Sequence, residues 1–282
     1  MQVIQMVLHT KNYELSLNKN KCTGCGMCME ICPKEAIQVT RTPKKVNEKA
    51  EQPTVTIDEN KCHYCGICQA ICPFGALTLK INEKNASPVT DKESFPQLLR
   101  EIVVDQTKFG PDCLKIKDAC PLDLIEVKKA KGKVVVEIDK DYCPGCRVCE
   151  TKFPEGAIHV KKVICGSLRI FNEKCPEGCS DCVDVCPIPD VLCLSKKGNV
   201  EVNETHCVYC GACKVACPED GALELERLTI RHTEVKSGAW IKALEKVAST
   251  AAVTKELRKK TGKKLKESVI NRMPPEVLDY EF

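Results

Sequence analysis

The spacing of its cysteines constrains this chain more than any other feature. Cys22, Cys25, Cys28 and Cys32 run into Pro33, Cys62, Cys65, Cys68 and Cys72 into Pro73, and Cys207, Cys210, Cys213 and Cys217 into Pro218. Each run reads C-x2-C-x2-C-x3-C-P. Three thiols at this spacing can curl a short loop around one centre. Glycines between them (Gly24, Gly26, Gly66, Gly211) let backbone N–H groups approach the sulfurs. The proline has no N–H and limits helix continuation. A fourth run, Cys175, Cys179, Cys182 and Cys186-Pro187, carries one extra residue. Two further runs are damaged. Cys143, Cys146 and Cys149 lead to Phe153-Pro154, while Cys120-Pro121 has Gly110, Cys113 and Ile116 at the three positions upstream.

The runs are embedded in a repeat. A short alternating strand leads into each of five cassettes (ELSLNKNKC, TVTIDENKC, VVVEIDKDYC, LRIFNEKC, VEVNETHC). A second strand follows each of six (PKEAIQV, PFGALTL, PLDLIEV, PEGAIHV, PIPDVLCL, PEDGALEL). Valine and isoleucine alternate with polar residues in most of them, the period of a half-buried strand. Six units fit the chain and make three pairs.

With 23 cysteines in 282 residues and 4% aromatics, ordinary cores would be thin. Such cysteine density means disulfides in a small secreted chain or metal in an intracellular one. Met1–Thr10 has no charged region followed by a cleavage site, and the longest apolar runs are too short to span a bilayer. The expectation is a soluble, cytoplasmic protein with thiols available for metal. Zinc sites show two separated C-x2-C pairs, and intact four-cysteine runs do not fit that pattern. The formal charge of +4 counts every cysteine as neutral. Were these runs to hold iron–sulfur cubanes, each would add about −2, and five of them would bring it to about −6. The lysine surplus then compensates cluster charge, and neither nucleic acid nor membrane is expected as a partner.

The intact runs resemble those of bacterial ferredoxins, in which the fourth cysteine ligates the other cluster of a pair. The resemblance implies an α+β fold: three pairs of tandem two-cluster [4Fe-4S] units with a helical C-terminal arm. The segments are 1–100, 101–164 (degenerate, one cluster), 165–230, and the basic arm 231–282. Crossed ligation within pairs gives five expected sets. They are Cys22, Cys25, Cys28 with Cys72; Cys62, Cys65, Cys68 with Cys32; Cys143, Cys146, Cys149 with Cys120; Cys175, Cys179, Cys182 with Cys217; and Cys207, Cys210, Cys213 with Cys186. A sixth set would need positions 110, 113, 116 and 153, where only Cys113 remains. All the damage therefore falls on one site, and Phe153 and Ile116 are expected to fill its space. Cys175–Cys182 alone also resembles the radical-SAM signature, but the Cys-Pro that follows favours a ferredoxin loop with an insertion.

Cys113, Cys165 and Cys193 remain as non-ligands, the last two read as small buried hydrophobes. His63 is expected at the surface or in a hydrogen bond, and Tyr64, Tyr142 and Tyr209 as packing beside the centres. The polar stretches 41–53 and 82–97 read as disordered or partner-facing loops. Beyond Arg227 the repeat stops, and Trp240, Leu244 and Val247 recur at helical spacing. This arm is expected either to dock on another subunit or to pack back on the ferredoxin body.

CPEGCSDCVDVCP together with TEVKSGAW is similar to the polyferredoxin component of formylmethanofuran dehydrogenase, the tungsten or molybdenum enzyme of methanogenic and related archaea. The resemblance implies a non-catalytic electron wire. It would feed the site where CO2 is reduced, alongside catalytic and ferredoxin subunits of a large complex. Longer members carry an additional pair of cassettes. Two other readings fit the residues: the polyferredoxin of a hydrogenase or heterodisulfide reductase complex, and an iron–sulfur scaffold whose clusters never turn over.

Overall fold

The computed structural model describes residues 1–42, 44, 48–116, 119–130, 132–234, 243, 247 and 248. The first segment contains β1 (Gln2–Val7), β2 (Asn12–Leu17), α1 (Met27–Ile31), β3 (Ile37–Thr40), β4 (Thr54–Ile57), α2 (Ile67–Ile71), β5 (Leu77–Ile81), β6 (Lys84–Asn85) and α3 (Pro88–Asp91). The second has β7 (Ile102–Val104), β8 (Ile125–Ala130), β9 (Lys133–Ile138), α4 (Val148–Lys152) and β10 (Ile158–Val160). The third has β11 (Ile164–Ile170), α5 (Asp181–Asp184), β12 (Leu192–Leu194), β13 (Val200–Val202), α6 (Ala212–Ala216) and β14 (Leu223–Ile230).

One pairing pattern recurs. In the first segment β2 pairs antiparallel with β5, and β3 with β4. In the second, β7 pairs with β10 and β8 with β9; in the third, β11 pairs with β14 and β12 with β13. The strand before one cassette thus lies beside the strand after its partner. This brings the end of each cassette next to the start of the other. The first segment adds β1 and β6 at its sheet edges.

Alternation puts one face of each strand inward. On β4, Val55 and Ile57 are buried while Thr54 and Thr56 are exposed; on β14, Leu223, Leu225 and Arg227 are buried. Two of the three cores belong to single segments, but the largest does not. It joins Met27, Ile31 and Ile71 of α1 and α2 to Ile164, Leu168, Val191 and Leu223. The first and third segments therefore share buried surface instead of hanging as separate beads.

The described parts of both polar stretches turn out to be structural, which corrects the reading of those parts as disordered or partner-facing. Arg41 donates to Asp181 at 2.8 Å, Lys44 pairs with Asp181 and Asp184, and the Ala50 N–H donates to Asp184. These described residues of 41–53 clasp α5 of the third segment, because their cations meet two poorly exposed carboxylates. Residues 82–97 include β6 and α3, and they bury Phe95. Of the arm, Ala243, Val247 and Ala248 are described and helical. Val247 is buried in the shared core, so this part packs back on its own chain. Trp240, Leu244 and the rest of the arm lie outside the described residues. Among the described residues, no helix is long and apolar enough to cross a membrane.

Candidate metal centres

The cysteine loops are shaped by backbone that turns left-handed twice. The second residue after the leading cysteine has positive φ in four cassettes (Gly24, Tyr64, Gly145, Tyr209), and so does the fourth (Gly26, Gly66, Arg147, Gly211). These turns aim amide groups inward. The Tyr64 N–H donates to Cys62 Sγ at 3.5 Å, and the Tyr209 N–H to Cys207 Sγ at 3.4 Å. A five-residue helix then begins, with the third cysteine in its first turn. In the two cassettes of the first segment, it ends on the fourth cysteine in extended backbone. There Cys32 Sγ accepts from the Ala36 N–H at 3.4 Å and Cys72 Sγ from the Ala76 N–H at 3.3 Å.

Four of the expected sets line apolar cavities. Cys22, Cys25 and Cys28 share one with Cys72, and Cys62, Cys65 and Cys68 share another with Cys32. Cys143, Cys146 and Cys149 share a third with Cys120, and Cys207, Cys210 and Cys213 a fourth with Cys186. In the remaining set, burial and then the neighbouring thiols, Cys179 among them, raise Cys175 and Cys182, and Cys179 also acts on Cys217 after burial. No two of the 23 cysteines are joined by a disulfide.

The thiol chemistry tests what such sets fit. Burial and then Cys72 push the Cys25 thiol up to about 11. Burial and then Cys146, Cys143 and Cys120 push Cys149 to about 12; burial and then Cys179, Cys217 and Cys175 do the same to Cys182. Four thiols sharing an apolar space resist becoming four thiolates unless a cationic core offsets the charge. Among the described residues, no three Cys, His, Asp or Glu side chains converge on a single-ion site. The sulfurs instead surround a space, which fits a polynuclear cluster held from its periphery.

At the sixth position, Phe153 and Cys113 are buried in the core of the second segment, and Ile116 packs against it. Phe109 meets Phe153 edge-on with ring centroids 5.6 Å apart. His63 is exposed at the mouth of the Cys62 cavity. Tyr64 and Tyr209 line their cavities, and Tyr142 covers Gly75. Cys165 is half-buried beside a β-bulge. Cys193 corrects the expectation of burial: it is exposed on β12, because alternation gives the inward place to Leu192.

Contacts between sets escaped the sequence. Cys25 is the like charge that acts most strongly on Cys210. Cys28 feels Cys68, and Cys213 feels Cys182. Arg100 donates to the carbonyls of Cys143 at 3.1 Å and Cys72 at 3.2 Å, and His206 Nδ1 lies 3.0 Å from the Cys146 carbonyl oxygen. One signal was present: Arg227 continues the inward alternation of Leu223 and Leu225. Nothing local marked Arg100 or His206.

Crossed thiol sets in repeated antiparallel strand pairs define an iron–sulfur, polyferredoxin-like protein with several cluster sites. The model of the 4Fe-4S dicluster domain matches residues 21–76. The chain is 36% identical over 62 residues to the ferredoxin of Methanothermococcus thermolithotrophicus, covering 98% of it and 22% of this chain. It belongs to the [4Fe-4S] ferredoxin family. It is also 31% identical over 105 residues to the polyferredoxin-like subunit of an aliphatic sulfonate oxidoreductase from Pyrococcus furiosus. That match covers 32% of this chain and 58% of the relative; a match to formate hydrogenlyase subunit 2 of Escherichia coli covers 45% of that protein. The chain thus spans about half the length of these curated relatives. Among solved structures, it is similar to a chain of the formate dehydrogenase–heterodisulfide reductase–formylmethanofuran dehydrogenase complex from Methanospirillum hungatei. There the TM-score is 0.74 and the identity 31%, over 86% of this chain and 87% of that one.

Proposed function

We propose that this chain is a non-catalytic electron-transfer subunit of a large oxidoreductase complex, with five [4Fe-4S] clusters in three tandem two-cluster units. The five crossed sets named above are the proposed ligands, and Cys113, Cys165 and Cys193 are non-ligands. A bound cluster supplies one-electron redox chemistry. The chain's own residues fix the thiols, exclude water with apolar walls and aim N–H groups at sulfur. The observation that carries this reading is the meeting, in four cavities, of three cysteines from one cassette with the fourth from its partner. Proximity between sets supports a path from the Cys62 set through the Cys22 and Cys207 sets to the Cys175 set.

The proposed partner is the CO2-reducing enzyme formylmethanofuran dehydrogenase. Support comes from the quoted motifs and from likeness, over most of both chains, to a complex containing that enzyme. The test is anaerobic reconstitution, reduction by dithionite and reoxidation on adding the partner enzyme with its substrate. Reoxidation is expected. Clusters that reduce but pass electrons only to a hydrogenase or heterodisulfide reductase would move the partner assignment, and clusters that never reduce would leave only a scaffold.

A further inference from the structure

We propose that Arg227 is a cation shared by two metal centres from different ferredoxin units, one that holds their loops together and favours their reduced states. This rests on the electron-transfer reading above. Arg227 is 7% exposed and points inward from β14. Its Nε donates to the Tyr209 carbonyl at 2.9 Å and one Nη to the Cys210 carbonyl, both within the Cys207 loop. The other Nη reaches the Val247 carbonyl at 3.0 Å and Glu30 Oε2 at 3.1 Å. Glu30 stands on α1 between Cys28 and Cys32, so the guanidinium spans from one cassette to another.

The loops meet at this side chain. A Cβ on Gly211 would lie 2.8 Å from Arg227 Nη2 and 3.3 Å from the Cys25 carbonyl oxygen. Glu30 is the one carboxylate bonded to this guanidinium among the described residues, and its side chain is 39% exposed. The remaining donors go to neutral carbonyls. A buried cation so sparsely countered is costly unless other negative charge lies nearby. Two four-thiolate clusters, each about −2 when oxidised, would supply that charge. Reduction adds one more negative charge to a cluster. A neighbouring cation screened little by water favours the more negative state. Among the described contacts of Arg227, none reaches the Cys62 or Cys175 set.

The test compares reconstituted wild type with R227Q, R227K and E30Q by iron and sulfide content and by dithionite titration followed by EPR. In R227Q, two of the five centres should become about tenfold harder to reduce, which is about 59 mV for one electron. The other three should stay put. R227K should retain most of the wild-type midpoints, and E30Q should make the same two centres easier to reduce. R227Q with full iron and no moved midpoint would overturn the proposal, as would R227K moving as far as R227Q. Should R227Q lose iron, E30Q decides: no upward shift sinks the idea. Wild-type clusters that dithionite cannot reduce would sink the electron-transfer reading itself, a different outcome from reducible clusters indifferent to residue 227.

Discussion

The second segment contains two versions of one site, side by side. β7 pairs with β10 and β8 with β9, as in the other segments. On one side Cys143, Cys146, Cys149 and Cys120 line one apolar cavity. On the other, Phe109, Phe153, Cys113, Val134 and Val136 are buried together and Ile116 closes in on them. The loops differ accordingly. Gly145 and Arg147 turn left-handed around the first site, whereas Pro111–Lys115 at the second forms a short 3-10 helix. Where ligands cross over, a damaged cassette need not mean a damaged site. Three losses, one of them to an aromatic residue, can delete one centre and leave its neighbour whole, provided the vacated volume is refilled.

The largest effects test which cysteines belong to which site. Wild type should hold about 20 iron and 20 sulfide per chain, from five cubanes. Cys120→Ser should lower both to about 16, while Cys113→Ser leaves them unchanged. Iron and acid-labile sulfide analysis after anaerobic reconstitution reads both. Equal losses in the two variants would end the distinction between the sites. The comparison can also be broken from the other side. Converting Gly110, Ile116 and Phe153 together to cysteine completes a set with Cys113 and should raise the content toward about 24. At Gly110 an added Cβ would meet nothing within 4 Å.

Next in size is the packing around Phe153, where the sixth set lacks its ligands. Phe153 is 5% exposed and meets Phe109 in an edge-on contact. Phe153→Ala should cost about 3–5 kcal/mol, the range for emptying an aromatic site in a core. Thermal unfolding of the reconstituted protein is the readout, with iron content expected to hold steady. A loss of iron as large as that of Cys120→Ser would mean that the aromatic wall supports the neighbouring centre directly.

Much of this was legible in the sequence because the signals are local. Cysteine spacing and Cys-Pro framed the cassettes, and period-two alternation found the strand after each of the six and before five of them, missing β7. The pairing of cassettes, and the joint fate of Gly110, Ile116 and Phe153, followed from one rule about crossed ligands. What stayed hidden is non-local. Arg41 meets Asp181 across 140 residues, and Glu30 meets Arg227 across 197. No spacing announces such contacts. The polar look of 41–53 was misleading for the same reason, since Arg41 and Lys44 pair with Asp181 and Asp184 of α5. Cys193 was misread because VLCL looks uniformly apolar, while its place on the strand turns it to solvent.

The smallest effect separates the two loops at single glycines. Gly145 has φ +80, and a Cβ there would lie 3.0 Å from both the Lys161 carbonyl oxygen and the Val163 amide nitrogen. Backbone cannot swing aside as a side chain can, and left-handed geometry itself costs a non-glycine residue about 1–2 kcal/mol. Gly145→Ala should therefore destabilise by at least that much and weaken retention of the Cys143 centre. Gly110 sits at φ −91, ψ 174, with nothing within 4 Å of an added Cβ. Gly110→Ala should be neutral or stabilising by about 0.4–1 kcal/mol, through loss of freedom in the unfolded chain. Paired thermal melts would show the contrast. Similar costs at both positions would mean that the loop at the filled site is still held to the shape of a cluster loop, and that the two halves are less different than their side chains suggest.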